Sequence, residues 1–228
     1  YQIHRARSGY YGDVSFIDTQ IARLMYHLSR FQRDAYRNTM FIFTSDHGDM
    51  LGDHNLWRKT YAYEGSARIP FLVKLPDSWE VKQRPVADEV VELRDIMPSI
   101  LDAAGIPAPP TMDGASMLGL TREADPGWRE YIHGEHCWCY SGDQAMQYVT
   151  DGRRKFTWLP HRNQQQFFDM EADPGEQCDL INDADRQEEI ARWRGYLVDE
   201  LSRRECGWAH DGQLVSPPPG SMVLKIGR

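Results

Sequence analysis

Across residues 10–36 the apolar positions Val14, Ile17, Ile21, Leu24, Met25, Leu28 and Phe31 return every three or four residues, with Arg and Asp between them. That is the spacing of a helix with one buried face. Asn38 breaks the rhythm, and "TMFIFT" (39–44) then reads as a strand buried on both faces. "RIPFLVKLP" (68–76) reads as a second buried strand and "VADEVVEL" (86–93) as a weaker, more exposed one. "RDIMPSILDAAGI" (94–106) predicts a helix with Pro98 in its first turn and Gly105 at its stop. A long helix feeding a short apolar strand predicts an α/β fold, with the strand inside a mostly parallel sheet.

After "PAPPTMDGAS", a loop by composition, the texture changes at about Thr121. "REYIHGEH" (129–136), "AMQYVT" (145–150), "RKFTWL" (154–159) and "QQFFDM" (165–170) are aromatic and β-branched, as strands are. Asp151-Gly152 between the second and third is a hairpin signal. Residues 184–204 form an amphipathic helix with Ile190, Trp193, Leu197 and Leu201 inward. The expected organisation is an α/β part over 1–124, a small antiparallel sheet with a packed helix over 125–210, and a tail over 211–228 containing "SPPPGS".

Composition narrows the partners. The 228 residues are 41% hydrophobic, enough for a core, and carry a net charge of −8 with a pI near 5.5. No block of Lys or Arg offers a surface to nucleic acid or to an anionic membrane, so neither is expected as a partner. No apolar stretch is long enough to span a bilayer. The cysteines, at 137, 139, 178 and 206, lack zinc-ligand spacing and are too sparse for a disulfide framework, so idle thiols are expected. The first residues, "YQIHRARSGYYGDVSFID", carry neither an initiator Met nor a signal peptide, and read as the middle of a longer protein. The compartment is therefore not readable from the sequence.

The densest chemistry is "FTSDHGDMLGDHNLWRKTY" (43–61), directly after the first strand. In open α/β sheets ligands sit beyond the carboxyl ends of strands. If the strand ends at Ser45, a turn lets Asp46 and His47 converge on one ion as half of a metal site. The alternative is that Asp46 caps a turn and His47 is merely half-buried. Lys59, flanked by aromatics, either reaches a bound anion or is an ordinary surface lysine. His54 either donates to the same anion or packs on Trp57, while Glu64 and Arg68 are expected to pair and shape the loop. Asp49, Asp53 and Glu135 remain as further carboxylates. "GEHCWC" (134–139), at a strand end, can line a pocket, with His136 as a candidate for binding substrate.

In chain order, "YYGDVSFIDTQIARL", "FIFTSDHGDMLGDHNLWRK", "YEGSARIPFLV", "RDIMPSILDAAGI", "DG-S" and "FFDMEADPGEQCDL" resemble the C-terminal half of sulfatases, nearest to the arylsulfatase and choline sulfatase branches of the alkaline phosphatase superfamily. The resemblance implies part of a large mixed-sheet α/β sandwich followed by a small C-terminal antiparallel sheet with a packed helix. It further implies that Asp46 and His47 hold a divalent cation, calcium first, with manganese or zinc as alternatives. Lys59 would contact the sulfate group of a small sulfate ester, and His54 matches a histidine near the site. In such enzymes a formylglycine hydrate, made from Cys or Ser in a C/S-x-P-x-R motif, attacks sulfur while the metal neutralises the ester oxygens.

No such motif occurs in these 228 residues. The expectation is therefore the C-terminal portion of a sulfatase, inactive alone, whose partner is the missing N-terminal part. Two alternatives stand beside it: a phosphonate monoester or phosphodiester hydrolase of the same superfamily, which shares "SDHG", and a non-catalytic metal-binding remnant. The alcohol part of the substrate and the oligomeric state are left open.

Overall fold

The computed structural model describes residues 1–136, 141, 143–204 and 206–218. The first rhythm becomes helix α1 (Gln2–Phe31), followed after Gln32 by the short α2 (Arg33–Arg37). The helix begins before residue 10, because Gln, Arg and Ala in its first turns are good helix formers. Its apolar face is not covered: no α1 residue is buried, and Leu24 is 57% exposed. Periodicity located the face correctly but not its burial, which needs a partner surface.

Strand β1 (Phe41–Thr44) pairs antiparallel with β2 (Phe71–Lys74), and among the described residues no strands pair in parallel, so the mostly parallel surroundings expected for β1 are not seen. Helix α3 (Glu64–Ala67) lies between them in sequence. Phe43 and Leu72 stand opposite each other in the ladder and both are exposed, so the expected burial on both faces does not hold. In this two-stranded ribbon the remaining edge of β2 is met by a side chain: Gln83 Nε2 donates to the Val73 carbonyl at 2.6 Å, and the Leu75 amide donates to Gln83 Oε1 at 3.2 Å. A primary amide thus imitates a strand, one way of blunting an open edge.

Residues 86–93 form no strand. Arg84 accounts for this. Its amide donates to the Thr121 carbonyl at 2.7 Å, and its guanidinium reaches Glu89 at 3.0 Å and the Leu120 carbonyl at 3.3 Å. The segment is thereby tied to residues 120 and 121 rather than to a ladder. Helix α4 (Ile96–Ala103) follows the fully buried Asp95, whose carboxylate accepts from the Glu92 and Ala115 amides at 2.9 and 3.0 Å. Gly114 permits this approach, since a Cβ there would lie 2.0 Å from the Arg94 carbonyl oxygen.

The C-terminal strands form one antiparallel sheet in chain order: β3 (Ile132–His136), β4 (Met146–Thr150), β5 (Arg154–Leu159) and β6 (Gln164–Asp169). Asp151 Oδ1 closes the expected turn by accepting from the Arg153 and Arg154 amides at 2.8 and 2.7 Å. Strand alternation places Val149, Phe156, Trp158 and Phe167 on one face. Helix α5 (Gln187–Ser202) covers it with Ile190, Trp193, Leu197 and Leu201, the four residues expected to face inward. The opposite face carries His136, Tyr148, Lys155, Thr157 and Phe168.

By contact the chain groups into two units, Tyr1–Arg58 with Ile69–Trp128, and Lys59–Arg68 with Arg129–Arg228. No helix of the described residues is long and apolar enough to cross a membrane. Leu197→Ala should destabilise the second unit by about 2–5 kcal/mol, through lost burial and the cavity left behind. Leu24→Gln, on the uncovered face of α1, should stay within about 0.5 kcal/mol of the unsubstituted chain. Urea unfolding of the two variants checks both.

Candidate functional site

The backbone bends at Ser45, directly after β1. Ser45 Oγ donates to the His47 carbonyl at 2.8 Å, and the His47 amide donates to Asp46 Oδ1 at 3.0 Å. This tight turn puts both side chains on one side, with His47 Nε2 3.4 Å from Asp46 Oδ2. His47 Nδ1 lies 2.8 Å from the Gly48 carbonyl. A carbonyl only accepts, so Nδ1 carries a proton there, and Nε2 is the ring atom that faces the carboxylate. Orienting a ligand histidine through its other nitrogen is the usual support for a metal. Ligand–metal distances of about 2.0–2.6 Å from each atom span the observed separation. The pair fits a divalent cation as two ligands. Among the described residues no group of three or more His, Cys, Asp or Glu could hold one.

The following loop is strained and heavily tied. Leu51, His54, Asn55 and Arg58 all have positive φ, between 49° and 67°, a conformation costly for side-chain-bearing residues. Asp49 maintains it by accepting from the Leu51 and Arg58 amides at 2.8 and 3.2 Å, while Met50 is buried beneath. Asp49 is therefore occupied as a loop organiser. Asp53 pairs with Arg7 of α1 at 2.8 Å, and Arg7 also donates to the Leu51 carbonyl at 2.8 Å. Those contacts hold His54 on a half-buried turn; the Trp57 ring lies against Gly52.

Lys59 and His136 belong to the second unit. Lys59 is exposed, and His136 ends β3 with its Nε2 shielded and without a hydrogen-bond partner among the described residues. Burial holds the His136 pKa below the ordinary histidine value, and the positive charge of Lys59 lowers it further. An ammonium whose charge reaches an imidazole with a free nitrogen is chemistry that suits a tetrahedral oxyanion. Next to His136, Gly134 leaves room for the Tyr148 ring, which a Cβ would meet at 2.1 Å.

Glu135 is committed elsewhere, to Arg204 at 2.7 Å, which also lies 3.0 Å from His133 Nδ1. Glu64 and Arg68 do pair, loosely at 3.6 Å, but the principal partner of Glu64 is Lys155 at 2.7 Å, which sequence reasoning missed. In "RKFTWL" Lys155 alternates as an outward residue would, and only the half-buried Glu64 and the buried Glu176, distant in sequence, reveal its role. Cys178 is exposed and Cys206 half-buried, both free; Cys137 and Cys139 lie outside the described residues.

Residues 52–203 match the family described as N-sulphoglucosamine sulphohydrolase, C-terminal. The chain is 42% identical over 225 residues to an arylsulfatase of Clostridium perfringens, covering 98% of this chain and 46% of that protein. Its fold is similar to that of a protein solved in complex with its substrate D-glucosamine-2-N,6-O-disulfate, at TM-score 0.73 and 22% identity, over 83% of this chain and 39% of the other. It is also similar to a phosphonate monoester hydrolase of Silicibacter pomeroyi, at TM-score 0.69 and 24% identity, over 88% and 43%. The chain thus spans less than half the length of each of these three proteins.

Since the Lys59 charge helps depress His136, Lys59→Gln should raise the His136 pKa toward the ordinary histidine value. A pH titration of its ring resonances by NMR reads the shift directly.

Proposed function

The chain belongs to the sulfatase family, in the alkaline phosphatase superfamily, and from that premise we propose that it contributes residues to an active site hydrolysing sulfate monoesters. The observation that carries this reading is the Asp46–His47 pair, a carboxylate oxygen and a ring nitrogen 3.4 Å apart at the end of β1, with His47 Nδ1 held on the Gly48 carbonyl. These two residues would hold a divalent cation, with calcium the first expectation. When bound, the ion supplies positive charge against the ester oxygens. Lys59 binds the anion as a point charge, and His136 offers a ring nitrogen to one of its oxygens. His54 would assist departure of the alcohol, the part a histidine near such a site plays. The nucleophile, a formylglycine hydrate in the family to which the chain belongs, is not encoded in these 228 residues, so turnover requires further chain.

A second reading keeps the site and exchanges sulfate for a phosphonate monoester or phosphodiester. The likeness in fold to a phosphonate monoester hydrolase and the histidine at position 47 favour it.

The experiment is a comparison of nitrocatechol sulfate, a phosphonate monoester and a phosphodiester with the protein that includes the N-terminal part. The sulfate ester should show the highest kcat/KM. Asp46→Ala and Lys59→Ala should each lower it about 10²–10³-fold, as loss of one charge-stabilising group does. Chelation should abolish it, and the 228-residue chain alone should show none. Preference for the phosphorus esters selects the second reading, and indifference to both substitutions overturns both.

A further inference from the structure

A lysine is almost never fully buried unless its ammonium is paired. Lys155 is 1% exposed, and its Nζ donates to the Ala62 carbonyl at 2.7 Å, Glu64 Oε1 at 2.7 Å and Glu176 Oε1 at 2.8 Å. Three donors meet three acceptors, which offsets a desolvation cost of several kcal/mol for a buried ion. Two of those acceptors lie on the segment Lys59–Arg68. Glu176 engages the same segment again, its Oε2 accepting from the Glu64 amide at 2.6 Å. Glu176 is itself buried, in a left-handed conformation with φ 51°. Lesser contacts follow the same line: the Tyr63 ring meets Phe168 edge-on at 5.9 Å, and Gln166 donates to the Tyr63 hydroxyl at 3.3 Å.

The segment therefore lies as a strap across the face of the C-terminal sheet opposite α5. It is fastened three and five positions after Lys59, on the sheet face that also carries His136.

We propose that Lys155 is a positioning residue for the anion site: its buried ammonium fastens the 59–68 strap to the sheet and so fixes Lys59 beside His136. This rests on the anion-binding reading of Lys59 and His136 given above. Lys155 touches no substrate and acts through the backbone at Ala62 and the side chain of Glu64.

The test uses the 228-residue chain, with hydrogen exchange of the strap amides and NMR titration of His136 as readouts that need no turnover. In Lys155→Met the strap amides should exchange about tenfold faster or more while the α5 amides keep their protection. The His136 pKa should rise as it does in Lys59→Gln. Unchanged strap exchange overturns the proposal, and so does a loosened strap with an unchanged His136 titration. If Lys155→Met loses α5 protection and fails to fold, Glu176→Gln decides by the same two readouts, with smaller shifts in the same directions. Inorganic sulfate added to the unsubstituted chain separates the underlying reading. If it leaves the His136 and Lys59 resonances unmoved while the Lys155→Met responses are as expected, anion binding fails and the fastening stands.

Discussion

A buried ammonium tolerates no unmet donor, and the C-terminal unit is arranged around meeting the three of Lys155. Ala62, Glu64 and Glu176 come from two segments remote from β5, and all three converge on one nitrogen. The consequence reaches beyond local stability. Residues 59–68 group with the C-terminal sheet, although their sequence neighbours on both sides group with the first unit. One face of the sheet is closed by the apolar residues of α5, and the other by a strap held through charge. A misplaced hydrophobic side chain can slide to a nearby rotamer, whereas a mispaired buried ion cannot without large cost. The polar face thus specifies position more sharply than the apolar one.

In the first unit the same economy of partners operates without deep burial. Each acid in the stretch from Asp46 to Asp53 has a distinct geometric task. Asp46 faces His47, Asp49 gathers two amides, and Asp53 takes Arg7 from the start of α1. The positive φ values between Leu51 and Arg58 are the visible strain of that loop, and the Asp49 and Arg7 contacts hold it. The strained loop after the Asp46–His47 pair and the segment that begins at Lys59 are therefore held by separate devices, one by Asp49 and Arg7 and the other by a buried ion cluster.

Much of this was legible in the sequence. The four strands and final helix of the C-terminal sheet follow from local alternation and a 3.6-residue period, because every partner in that core lies within the same stretch of chain. The position of Asp46 and His47 at a strand end was legible for the same reason, since "TMFIFT" and the turn after it are contiguous. Residues 86–93 misled, because the alternation of "VADEVVEL" is local while the Arg84 contacts with the Leu120 and Thr121 carbonyls that draw the segment away are not. The apolar stripe of α1 likewise announced a buried face that is exposed among the described residues.

Residue order by itself determined the helices and most of the strands, which side chains share a face, and which polar groups crowd the end of β1. These are matters of period and propensity, settled over a few neighbouring residues. Only the tertiary structure decided which faces are covered and which charges are buried. Lys155 shows why. Within "RKFTWL" it reads as a solvent-facing residue, and it becomes the fastening point only because Glu64 and Glu176, 91 and 21 positions away, arrive at its ammonium. Desolvation and pairing depend on distance in space, and no local pattern of residues encodes that distance.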